Sequence, residues 1–172
     1  MDTLKITNYH EYFKSLAQQH KAIQHAEENP KFTRIEENED TVLLHRTIDT
    51  ITPCVLLQYH HSQLRDLRAD NTHEVFSFSL FIVQRCERDN WEEQRATLAQ
   101  LRQIAYDFIG KMYQDKCNIG EGVPYLEGFD RNTVRIAEVY GQPQALDVGI
   151  QLFVNLHHSV ENDMYYNPDN WL

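Results

Sequence analysis

Between Ala145 and His157 the chain alternates apolar and polar residues almost without a break. Leu146, Val148, Ile150, Leu152, Val154 and Leu156 fall at every second position, with Asp147, Gly149, Gln151, Asn155 and His157 between them. Side chains alternate across a strand, so this pattern predicts a long strand with one buried face and one face left to solvent or a partner. Such a strand needs a second layer on its apolar side. Two further segments supply the materials. Thr72–Arg85 places Phe76, Phe78, Leu80 and Ile82 on one face and Ser77 and Ser79 on the other, which predicts a strand whose second face is only partly buried. From Trp91 to about Lys116, Trp91, Leu98, Leu101, Ile104, Ala105, Phe108, Ile109 and Met112 form an apolar stripe at helical spacing. Asn90 and Glu93 match a capping box at its start.

The remaining elements follow from the same reasoning. Tyr9, Tyr12, Phe13, Leu16 and Ile23 predict a helix over Asn8–Glu28, capped by Asn8 with Glu11 and stopped at Asn29-Pro30. Lys31–Glu36 reads as a short strand with Phe32 in the core, and the acidic run Glu36–Asp40 as a solvated turn. Thr41–Thr50 reads as a short helix, with a strand as the alternative. Pro53 opens a strand over Cys54–Tyr59, and the polar stretch His60–Asn71 connects it to the next one. Asn118–Asp130, with three glycines and Pro124, is a loop. Asn132–Tyr140 pairs with the last strand through the turn Gly141–Gln144. The order α-β-(α)-β-β-α-β-β predicts a two-layer α+β domain over residues 1–158, a mainly antiparallel sheet covered on one face by two long helices. Residues 159–172 form a polar tail that carries Tyr165, Tyr166 and Trp171. Such rings are worth burying, so the tail either folds back on its own domain or packs on a neighbouring subunit, with these three residues as the candidate interface.

Charge narrows the partners. With 26 acidic and 16 basic residues the formal net charge is −10. That disfavours sequence-independent nucleic-acid binding and docking on an anionic membrane, both of which rely on Lys and Arg. An acidic channel through which DNA passes without sticking is compatible with it. Mean hydropathy is −0.60, and no stretch approaches the roughly 20 apolar residues that span a bilayer. Met1–Lys5 has neither a basic region nor an apolar run, so no cleaved secretion signal is expected. Cys54, Cys86 and Cys117 lack CxxC spacing and read as reduced, buried thiols in a cytoplasm.

Catalytic and metal-binding patterns are weak. His60-His61 and His157-His158 stand out among nine histidines, but neighbours on an extended strand point to opposite faces, so each pair offers at most one ligand to a site. No HExxH motif, GxSxG elbow or activated cysteine is present, and no cofactor is implied. Ile119–Pro124 contains GxG without the third glycine, the lysine or the following helix of a phosphate loop. Glu138 and Asp147 lie on the terminal hairpin and could approach, though a solvated face accounts for both.

The arrangement resembles the tail terminator (tail completion) proteins of long-tailed phages and related contractile injection systems. The resemblance rests on the N-terminal amphipathic helix, the short strand with Phe32, and the proline-led strand Pro53–Tyr59 with its polar connection to Asp70-Asn71-Thr72. The long strand Val75–Val83, the Asp89-Asn90-Trp91 lead into the second long helix, the terminal hairpin and the aromatic tail complete it. It implies a non-enzymatic structural subunit, made in the bacterial cytoplasm, that forms a hexameric ring capping the tail tube. The tube protein would be its partner, with sheath and neck proteins as further neighbours. Three other readings compete. One is another tube, neck or baseplate-proximal subunit of the same particle. Another is a small ligand-binding domain or enzyme in which Ser77, Ser79, Gln151 and a histidine converge in a pocket under the helices. The last is an acidic nucleic-acid mimic, for which Glu36–Asp40 is the one dense cluster.

Overall fold

The fold is a computed structural model that describes residues 5–35, 50–66, 72–87, 89–118, 126, 128–140 and 147–159. The turn at 36–40, the short helix or strand expected over Thr41–Thr50 (Thr50 apart), the GxG loop, the turn at Gly141–Gln144, and Tyr165, Tyr166 and Trp171 lie outside the described residues.

Among the described residues, two helices and five strands follow one another as α1 (Lys5–Gln19), β1 (Phe32–Ile35), β2 (Cys54–Asp66), β3 (Thr72–Arg85), α2 (Trp91–Cys117), β4 (Arg135–Tyr140) and β5 (Asp147–Ser159). The expected α+β order holds. The strands form one mixed sheet in the order β1-β2-β3-β5-β4. Only β1–β2 is parallel; β2–β3, β3–β5 and β4–β5 are antiparallel.

Both helices cover the same sheet face. Phe76, Phe78, Leu80 and Ile82 of β3 and Val148, Ile150, Leu152, Val154 and Leu156 of β5 are buried there, as the alternation requires. Tyr9 anchors α1 between Phe76 and Phe78, its ring centroid 5.4 and 5.1 Å from theirs. Aromatic pairs of this kind contribute about 0.5–1.5 kcal/mol beyond the area they bury. Between the helices, the buried Tyr12 hydroxyl donates to Asp115 Oδ2 at 3.0 Å, and Asp115 also pairs with Lys111. Arg102 of α2 meets Glu138 of β4 at 2.5 Å, fastening the helix to the sheet edge.

Several expectations need correction. α1 begins at Lys5, so Asn8 lies inside the helix and does not cap it. It ends at Gln19 because the chain turns at once: His25 N–H returns to the Ala17 carbonyl at 3.1 Å, and Gln24 adopts a left-handed φ of 53°. Trp91 leaves the expected stripe and is 73 % exposed, since the first turn of α2 precedes its contact with the sheet. Cys117 is exposed at the far end of α2, whereas Cys54 and Cys86 are buried. Ahead of β4, residues 131–133 form a 3-10 turn, so the strand starts at Arg135.

The largest departure concerns His60–Asn71, expected as a connection. β2 continues through it to Asp66, paired with β3 down to Thr72. Ser62 and Leu64 sit on the helix-side positions yet are exposed, because the helices do not reach that far along β2. Backbone pairing with β3 extends the strand where burial no longer marks it.

Candidate functional site

The register brings the unexpected groups together on the sheet face opposite the helices. A β-bulge between Tyr59 and His61 inserts one extra residue into β2. Tyr59 faces the core, His60 Nε2 lies 2.6 Å from Ser79 Oγ, and His61 is registered opposite Ser77. The bulge therefore sets both histidines on the helix-free face, and the assumption that neighbours point apart fails here.

Ser79 Oγ also accepts a hydrogen bond from Gln151 Nε2 at 3.0 Å, and Ser77 Oγ donates to Asn155 Oδ1 at 2.8 Å. Ser77, Ser79, Gln151 and a histidine thus converge, but away from the helices. Ser79 is 0 % exposed, which leaves no approach for a reacting carbonyl to its hydroxyl. Chemically the cluster is a polar fastening across β2, β3 and β5.

Toward the open end of the same face, Arg65 is registered opposite His73, and His157 opposite Val75. Burial, then His73 and then Arg65, push the His157 imidazole below its ordinary value of 6.5; Asp130 acts against them. His73 Nδ1 is buried with no hydrogen-bond partner among the described residues. Gly128 lets its loop pass β5 here: a Cβ on it would stand 2.3 Å from the His157 carbonyl oxygen, so only glycine fits.

The other end of this face is apolar, with Cys54 and Leu56 buried against Ile35, Phe81 and Val83. A separate cleft lies where α1 ends beside α2, floored by Leu16 and Phe108 and closed by His20 Nε2 and Asp107 Oδ2 at 3.3 Å.

Glu138 and Asp147 do not pair. Glu138 is registered with Ile150 and bound to Arg102, while Asp147 sits at the opposite parity, across from Arg85. Among the described residues no group of three or more His, Cys, Asp or Glu side chains is placed to hold a metal ion. No described helix is long and apolar enough to cross a membrane. Of the residues singled out in sequence, His60, His61 and His157 share the helix-free face; the side chain of His158 is outside the description. Sequence reasoning missed Arg65, His73 and the exposed Trp91. The first two stand four positions from the recognised residues His61 in β2 and Ser77 in β3, and only the register joins them.

Comparison with known proteins finds no matching family model and no matching curated protein.

Proposed function

We propose that this chain is a non-enzymatic assembly subunit, a tail terminator-like protein whose copies close into a hexameric ring on the end of a tail tube. One observation carries the reading: among the described residues both edges of the sheet are unpaired. Among the described residues β1 covers β2 only as far as Gln58 and no other strand lies beside His61–Arg65, where Leu64 is 58 % exposed. At the opposite edge, among the described residues, β4 pairs with β5 alone and exposes Tyr140. Open edges are templates for pairing with another chain. The two edges differ, so joining one to the other is a head-to-tail contact, which closes into a ring when the rotation allows. β2 and β4 run in opposite directions in the sheet, so copies related by a ring axis would pair them antiparallel.

Two further features support the reading. The space between the layers is filled by Phe76, Phe78, Leu80 and Ile82, which disfavours a ligand pocket under the helices. A net charge of −10 suits a lumen that must release DNA. The test is light scattering, alone and with tube protein. The expected particle has a mass near six times 20.4 kDa, and Leu64→Asp returns it to single chains with an unchanged circular dichroism spectrum. A wild-type chain that stays at 20.4 kDa in both conditions overturns the proposal.

A further inference from the structure

The helix-free face has an unusual charge. From Gln58, Ser79 and Gln151 to the open end, the register assigns it His60, His61, Gln63, Arg65, His73, Val75, Ser77, Phe153, Asn155, His157 and Ser159, with Arg135 beside Phe153 on β4. Among the described residues, four histidines and two arginines stand there, and no carboxylate, in a chain with 26 acidic residues. Asp130, the acid whose charge acts on His157, is off the sheet, at the N-cap of the 3-10 turn. His61, Arg65, Arg135 and Phe153 are exposed.

Residues 160–172 have the complementary composition. They carry Glu161, Asp163 and Asp169 and the rings of Tyr165, Tyr166 and Trp171, with no Lys, Arg or His. They continue directly from Ser159, which is registered with His73 at the open end of that face. Thirteen residues reach about 45 Å when extended, and the face from Ser159 back to Gln151 is roughly 26 Å long.

We propose that residues 160–172 dock on this carboxylate-free half of the sheet, their acids against Arg65, Arg135 and the imidazoles and their rings against Phe153 and the arginine planes. Charge complementarity favours this half-face, which carries two arginines and four histidines in a chain of net charge −10. Aromatic rings over guanidinium groups add cation–π attraction. The proposal does not depend on the ring: a segment docked on its own sheet and one docked on a neighbour's use the same face.

The experiment uses the full chain. A spin label is attached at Asn167→Cys in a Cys117→Ser background, where Cys54 and Cys86 are buried and unreactive. Amide signals of His61–Arg65, Arg135 and Asn155 are expected to lose most of their intensity, and those around Tyr106 on α2 to keep theirs. Arg65→Glu with Arg135→Glu should restore the lost signals at least threefold. In a mixture of labelled and isotope-enriched chains, broadening marks docking between copies; broadening only within one chain marks docking on its own sheet. Either result upholds the proposal, the second even if no ring forms. Broadening confined to the label's sequence neighbours, or unchanged by charge reversal, overturns it.

Discussion

Ser79 shows how one small side chain can hold three strands. Its hydroxyl is fully buried in mid-strand and meets His60 across the bulge and Gln151 across β5. Removing it takes one hydrogen bond from each of two part-buried groups, which costs about 1–3 kcal/mol in all. Ser79→Ala is therefore expected to lower unfolding stability by that amount in urea, whereas Ser77→Ala, at a half-buried hydroxyl, costs less. Equal losses at the two positions would show that the His60–Ser79–Gln151 cluster has no special standing. In sequence both serines look alike; only the bulge, which turns His60 toward Ser79, separates them.

Of the two described helices, α2 was the more legible and α1 the less. Asn90 Oδ1 accepts from Glu93 N–H at 3.1 Å, the cap expected from the Asn-x-x-Glu spacing, and Glu92 and Glu93 complement the helix dipole in the first turn. Asn90→Ala should cost about 1 kcal/mol, read as a lower urea midpoint with an unchanged slope. The other half of the box is absent, because Asn90 N–H goes to the Glu87 carbonyl. For α1, the apolar stripe was right but the bounds were not. Ile23 is buried as the stripe requires, yet it is reached after the helix has ended. Periodicity marks which residues go inside and does not mark where the backbone stops turning.

At the scale of the whole molecule, the fold should weaken in mild acid. His25 Nδ1 accepts the Lys31 N–H at 3.0 Å, and burial, then Lys14, push its imidazole below the ordinary 6.5, with Glu27 acting against them. His157 is lowered as well, by burial, His73 and Arg65. A histidine that resists protonation in the folded chain binds its proton more readily once unfolded, so stability is complete above pH 6.5 and declines as pH falls through it. The urea midpoint should be lower at about pH 5.5 than at about pH 7.5, and His25→Gln should flatten that dependence. A midpoint that does not move between these conditions would contradict the neutral state assigned to both imidazoles.

The sequence by itself determined the class of fold and the contents of its core. Period two in Ala145–His157 and Thr72–Arg85, and helical spacing after Trp91, are local consequences of side-chain burial, and each survives into the structure. Tertiary structure alone decided what lies next to what. The parallel β1–β2 pair, the continuation of β2 to Asp66 and the bulge at His60 depend on backbone pairing between distant segments. That pairing leaves no mark on hydrophobic pattern. The carboxylate-free half of the helix-free face is read only from the register that aligns β2, β3, β5 and β4, whose charged residues are far apart in the chain.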